Sequence, residues 1–293
     1  MRPVRVALFA PGSKERVMAK ALEAGADAVL FDLEDSVPLA SKAEARTLVA
    51  RAIDGAAGRT GPALFVRVNA ASTGLLDDDL AGVVRPGLEA VFLPKAETVA
   101  EVHHTAATLE RLEAAQGMKS GTVEIVLMIE SALGVHRCYD LVTASPRVAS
   151  TCIGVARDGD LQTDLGCSWS IEGTELLYAR SKVLLDTRAA GKPWPLDGVF
   201  SDLEDEAGFY QDSRLSARLG YVGRTVIHPK QIAPARRAYA VPGEDVAYYQ
   251  QVVSQFEAVE KTGTAAITVN GRLVDYAMYQ RAKRVLDLVK LDR

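Results

Sequence analysis

The sequence predicts a (β/α)8 TIM barrel with a C-terminal helix–hairpin–helix extension, and three observations carry that prediction. First, five short apolar runs end abruptly in polar or charged residues. Val29-Leu30-Phe31 leads into Asp32, Glu34 and Asp35, and Ala63-Leu64-Phe65-Val66 into Arg67 and Asn69. Val91-Phe92-Leu93 gives Pro94-Lys95, Ile125 to Ile129 gives Glu130, and Val226-Ile227 gives His228-Pro229-Lys230. The parallel strands of a barrel all end at one mouth, so such edges collect chemistry in one place. Second, eight strand-like runs alternate with helix-like stretches over about 230 residues, more strands than an open doubly wound sheet usually has. Third, no Gly-x-Gly-x-x-Gly follows the first run, which argues against a dinucleotide-binding sheet.

The strand-like runs fall near 4–9, 27–32, 63–68, 89–93, 123–129, 148–154, 196–200 and 222–227. Between the first two, residues 16–24 place Val17, Ala21, Leu22 and Ala24 at turn spacing. Residues 99–115 do the same with Val102, Ala106, Leu109 and Leu112. The pattern changes at Val241-Pro242-Gly243, which sets the expected organisation: a barrel domain of 1–242 and an extension of 243–293. In the extension a helix over about 244–260 precedes two short apolar runs, 266–269 and 272–275, joined by Asn270-Gly271. Asn-Gly between such runs signals a two-residue hairpin, because both turn residues must accept positive φ. A last helix spans about 276–290. A lone hairpin is not stable in water, so this one is expected to lie across a barrel mouth, its own or a neighbour's.

Composition narrows the function. With 293 residues, 48% of them hydrophobic, the chain can bury a large core. Its 34 basic and 38 acidic side chains are interspersed, for a net charge of −4, which offers no basic stripe to nucleic acid. No apolar run reaches the roughly 18–20 residues of a membrane span. Pro11-Gly12 stands where a signal peptide would keep its cleavage site, so a cytoplasmic protein is expected. Cys138, Cys152 and Cys167 lack paired metal spacing and are expected to be small buried hydrophobes rather than disulfide partners or zinc ligands.

The strand ends supply the candidate site. Glu130 follows five apolar residues, and an acid cluster, Arg157-Asp158-Gly159-Asp160-Leu161, follows the next run. Two carboxylates from adjacent strand ends suit Mg2+, which takes one or two protein carboxylates plus waters and substrate oxygens. The plainer reading pairs Glu130 with Arg67 as a structural ion pair. Arg67 offers a planar fork to a carboxylate or enolate oxygen. Asp32, Glu34 and Asp35 are expected to orient Arg67 or metal waters, or to cap the next helix. His228, ahead of Pro229, reads either as a general base or as a rigid wall, and Lys230 as a phosphate contact. His103, His104 and His136 read as helix residues, the first two facing solvent.

Taken in order, these strings resemble the citrate lyase β-subunit-like family of the HpcH/HpaI aldolase superfamily over nearly the whole chain. They are Phe9-Ala10-Pro11-Gly12, Leu30 to Val37, Arg67-Val68-Asn69, Leu93-Pro94-Lys95, Met128-Ile129-Glu130, Leu176 to Ser181, Asp197 to Phe200 and Ile227 to Ile232. The resemblance implies a TIM barrel that assembles as a homotrimer or homohexamer and cleaves or forms hydroxyacyl thioesters, with acyl-CoA and a keto acid as small-molecule partners. It implies Mg2+ on Glu130 and an Asp of the following loop, with both Glu130 and Arg67 touching substrate. Arg67 would polarise the reacting oxygen, and Asp275, donated by a neighbouring subunit, would serve in proton transfer. The family's Gly-x-x-Asp-Leu at the sixth strand is replaced by a longer loop here, so Asp160 is the preferred ligand, with Asp158 left open. The CoA phosphates would need rim cations, for which Arg16, Lys20 and Lys230 are the candidates. The reaction expected is cleavage of a malyl-CoA or citramalyl-CoA type ester; a citryl-acyl-carrier lyase subunit and a thioesterase are the alternatives.

Overall fold

Eight parallel strands close into a barrel in chain order all the way round. This computed structural model describes residues 2–58, 60–260 and 266–290. β1 (Val6–Pro11) is followed by α1 (Glu15–Leu22), β2 (Ala28–Asp32) by α2 (Lys42–Ala56), β3 (Ala63–Arg67) by α3 (Leu76–Val83), and β4 (Ala90–Leu93) by α4 (Val99–Ala115). β5 (Glu124–Ile129) leads through α5 (Ala132–His136) and α6 (Cys138–Thr143) to β6 (Val148–Ile153). Then come α7 (Asp160–Leu165), α8 (Leu177–Ala189), β7 (Leu196–Asp197), α9 (Glu206–Leu219), β8 (Gly223–Val226) and α10 (Ile232–Tyr239). The expected (β/α)8 TIM barrel is therefore the observed one.

The local chemistry explains the elements. β2 and β5 are nearly continuous apolar runs because helices cover the outside and side chains fill the inside, leaving no solvent face. α4 starts where it does because Thr98 and Glu101 form a reciprocal capping box. Its buried Val102 and Leu109 face the barrel while His103 and His104 stay exposed, as expected. The tilted ring pair of Phe65 and Phe92, 5.5 Å between centroids, packs β3 against β4.

Two strands differ from expectation. β1 begins two residues late, because the amides of Arg5 and Val6 both donate to the Asp27 side chain at 2.9 Å. β7 is two residues long instead of five, since the Gly198 carbonyl is taken by the buried Arg224 guanidinium at 3.1 and 2.7 Å rather than by a strand partner. Cys138 and Cys152 are buried free thiols, whereas Cys167, expected with them in the core, is only partly covered.

The chain divides into two compact units, 1–238 and 239–293. The second holds α11 (Gly243–Glu260), the antiparallel pair β9 (Ala266–Val269) and β10 (Arg272–Asp275), and α12 (Tyr276–Val289). Asn270 and Gly271, at φ of 51° and 76°, make the tight turn that this dipeptide predicts. Phe256 stacks on Tyr279 at 4.8 Å, with Val252, Val269, Val274 and Ala282 completing a small core. No helix among the described residues is long and apolar enough to cross a membrane.

Candidate active site

Parallel pairing sets Asp32, the last residue of β2, directly beside Arg67, the last of β3. Residues so paired project to the same side of the sheet, here inward. Arg67 donates from Nε and Nη2 to the two Asp32 oxygens at 2.7 and 2.8 Å, a bidentate fork. Nη1 lies 2.8 Å from Glu34 Oε2 and 3.3 Å from Asp35, and the guanidinium carbon stands 4.9 Å from the Phe9 ring centroid. The plainer sequence reading, a Glu130–Arg67 ion pair, is not what forms, because the acids after β2 reach Arg67 first. Those acids therefore orient Arg67 and do not cap α2, whose N-cap position is Ser41.

Lys42 fixes the acid loop from behind. Its buried ammonium donates to the carbonyls of Leu33 and Glu34 at 2.6 and 2.7 Å and to Asn69 Oδ1 at 2.6 Å, while Asp79 accepts from the Asn69 amide groups. Sequence reasoning missed this brace, since Lys42 lies in a helix that looks like any amphipathic stretch. It also gave no role to Lys95, whose ammonium lies 3.1 Å from Glu34 and 3.3 Å from Asp160. The Pro94-Lys95 edge after β4 was the available signal.

The mouth encloses a cavity of about 480 Å³ lined by Asp32, Asp35, Arg67, Glu130 and Asp160 against the apolar Phe9, Met128, Val155 and Val199. Glu130 is buried at the end of β5, and its Oε2 has no hydrogen-bond partner among the described residues. Burial, opposed by Arg67 and reinforced by Glu34 and Asp160, pushes its carboxyl up to about 7. Burial also raises Glu34. Asp32 goes the other way, because Arg67 outweighs the same penalty and holds it below the ordinary carboxylate range. Burial alone would lower the Lys95 ammonium, but Glu34, Asp35 and Asp160 together raise it.

This donor set fits a hard divalent cation. Glu130, whose buried Oε2 has no hydrogen-bond partner among the described residues, lines the cavity, and a second carboxylate, Asp160, lines it from the next loop. Gly154 makes room for Glu130, since a Cβ there would sit 2.8 Å from Glu130 Cγ. Asp158 is differently placed: at φ 59° its side chain is 83% exposed, 3.8 Å from Arg157, and does not line the cavity.

Other expected residues lie elsewhere. Arg16 and Lys20 are exposed on α1 and Lys230 is held by Glu204 at 2.8 Å; none of the three lines the cavity. His228 is exposed and its Nδ1 accepts from the Lys230 amide at 3.1 Å, which makes it the cap of a short turn. Asp275 belongs to the second unit, where it caps α12 by accepting from the Met278 amide at 2.9 Å. His136 ends α5 as expected.

Comparison with known proteins agrees with this architecture. Residues 5–229 match the HpcH/HpaI aldolase/citrate lyase family. The chain is 36% identical to the citrate lyase subunit beta of Leuconostoc mesenteroides subsp. cremoris, covering 97% of this chain and 92% of that one. It is 31% identical to the L-malyl-CoA/beta-methylmalyl-CoA lyase of Cereibacter sphaeroides, covering 97% and 94%. Among solved structures, CitE from Mycobacterium tuberculosis, in complex with magnesium, acetoacetate and coenzyme A, superposes with a TM-score of 0.74 at 26% identity over 99% of both chains. The chain belongs to the HpcH/HpaI aldolase/citrate lyase family, as a citrate lyase β-subunit-like carbon–carbon lyase.

Proposed function

We propose that the protein is a Mg2+-dependent lyase that cleaves, or forms, a 3-hydroxyacyl-CoA thioester of the malyl-CoA or citramalyl-CoA type, giving acetyl-CoA and a keto acid. The observation that carries this is Glu130, whose buried Oε2 has no hydrogen-bond partner among the described residues, lining an acid-rich cavity beside an arginine already locked in place. Glu130 and Asp160 would hold the metal, which supplies Lewis-acid charge to the substrate's hydroxyl and carboxylate oxygens.

The chain's own groups do the rest. A carboxylate of the acid-lined mouth takes the hydroxyl proton as the adjoining carbon–carbon bond breaks, leaving a keto acid and a thioester enolate, and a proton delivered to the enolate carbon completes acetyl-CoA. Asp32 engages Arg67 through Nε and one Nη2 hydrogen, so a second Nη2 hydrogen remains for the oxygen that gains charge. Because the guanidinium is fixed before substrate arrives, little reorganisation is needed as charge develops. Asp275 is our candidate for the proton at the acetyl carbon. The exposed Leu273, Tyr276 and Met278 around it suit a hairpin donated to a neighbouring subunit, and so a homotrimer or homohexamer. Arg16 and Lys20 stay as candidates for the CoA phosphates, as exposed cations on the helix that follows β1; Lys230 is the weakest, being paired with Glu204.

The lining favours a substrate with one free carboxylate. Among the described residues, Arg67 is the one cation lining the cavity, against Asp32, Asp35, Glu130 and Asp160. A citryl ester carries a carboxymethyl group where citramalyl-CoA has a methyl, and its extra carboxylate adds negative charge to a lining that already holds four acids. The citryl-acyl-carrier reading draws support from the 36% identity to a citrate lyase β subunit.

Mass-spectrometric product analysis with Mg2+ and malyl-, citramalyl- and citryl-CoA separates these readings. Acetyl-CoA with glyoxylate or pyruvate is the expected result. Free CoA with an intact hydroxy acid would make the protein a thioesterase, and turnover of citryl esters alone would make it a citrate lyase subunit.

A further inference from the structure

Lys95 is one of three non-glycine residues in the left-handed backbone region among the described residues, at φ 51°. A lysine pays for that conformation, so it persists where surrounding contacts hold it. Its ammonium lies among three carboxylates: Glu34 at 3.1 Å, Asp160 at 3.3 Å and Asp35 at 3.8 Å. The left-handed turn after β4 therefore places an ammonium within the acid cluster at the mouth. Among the described residues Lys95 is the ion-pair partner of Asp160, whose side chain is half exposed and otherwise faces the cavity.

We propose that Lys95 is a resident counter-cation of Asp160 that competes with the divalent metal for that carboxylate. In the metal-free protein it offsets part of the acid surplus at the mouth. When a divalent cation takes Glu130 and Asp160, its charge repels the ammonium on the same carboxylate, and the ammonium falls back on Glu34 and Asp35, which it already touches. The metal alone is thereby bound more weakly than two carboxylates would bind it. A substrate or keto acid adds negative oxygens around the metal and offsets the repulsion, so Lys95 couples metal loading to substrate binding. This inference rests on the metal-ligand reading of Glu130 and Asp160 given above.

The test is isothermal titration of Mn2+ into the metal-free full chain, with and without oxalate as a two-oxygen surrogate for a keto acid, for the native protein and for Lys95→Met, Lys95→Arg and Glu130→Gln. Lys95→Asn serves as a second neutralising variant, because asparagine accepts the left-handed backbone and guards against misfolding. Removing a unit charge a few ångströms from a divalent ion in a partly solvated site is worth about tenfold or more in affinity. The expected result is that Lys95→Met and Lys95→Asn bind Mn2+ about tenfold more tightly than the native protein without oxalate. Lys95→Arg should stay close to native, and the enhancement by oxalate should shrink in the neutral variants. Equal or weaker Mn2+ binding by the folded neutral variants, with native binding intact and weakened by Glu130→Gln, overturns the role of Lys95 and leaves the metal site standing. Native binding absent, or unaffected by Glu130→Gln, removes the metal site and this inference with it.

Discussion

The barrel carries two clusters of charge made from the same residue types, and their difference separates a site from a brace. Around β7 and β8, Arg180 and Arg224 meet Asp197 and Asp212, two cations against two anions, all buried. Arg224 also donates to Ser213 at 2.6 Å and lies 4.8 Å from the Phe209 ring centroid, and the Tyr221 hydroxyl donates to the Arg180 carbonyl at 2.8 Å. Although burial works against it, the two arginines hold Asp212 below the ordinary carboxylate range. At the mouth, Asp32, Glu34, Asp35, Glu130 and Asp160 outnumber Arg67 and Lys95, and Glu130 is raised rather than lowered. Balance makes the first cluster a fixed strut. The acid surplus makes the second a receptor for positive charge.

Breaking each cluster at its arginine should produce different kinds of loss. Arg224→Met leaves buried Asp212 short of a partner, and should cost about 3–5 kcal/mol in urea denaturation. A loss under about 1 kcal/mol would show that the cluster is not a strut. Arg67→Ala should lower turnover about 10²–10³-fold, since it removes a preorganised donor from the place where charge develops. Unchanged turnover would remove Arg67 from the chemistry.

Glu130→Gln sharpens the contrast through pH. The Glu130 carboxyl titrates near 4.5 when unfolded and at about 7 when folded, so the unfolded chain loses this proton first. Metal-free stability attributable to Glu130 therefore falls as pH rises from about 4.5 to about 7. The variant should match the native protein near pH 4 and exceed it by about 1–3 kcal/mol near pH 8, read from paired denaturation curves. A constant difference across that range would mean that Glu130 is not raised. His228→Ala is the smallest change: turnover should stay within about twofold, because His228 caps a turn outside the cavity. A larger fall would return it to the site.

The sequence shows the barrel because parallel strands with covered outer faces must be apolar along their length and end in polar residues at one mouth. The same edges show Arg67 and Glu130, each the first charge after an apolar run. What it hides is pairing across elements. Lys42 reaches Leu33, Glu34 and Asn69 from a helix, and nothing in its helical neighbours distinguishes it. Lys95 is conspicuous as a strand edge, yet neither its left-handed backbone nor its pairing with Asp160 can be read from that edge. Lys230 and His228 show a related limit: a strand-end position does not fix whether a side chain lines the cavity, and both are exposed in the turn after β8.

The most direct test of the mouth as a metal-dependent lyase site is a Mg2+ titration of citramalyl-CoA cleavage by the native protein and by Glu130→Gln. The account predicts saturable Mg2+ activation in the native protein, abolished by a chelator, and a sharply weakened Mg2+ dependence in the variant. Superimposable Mg2+ curves for the two proteins would contradict it.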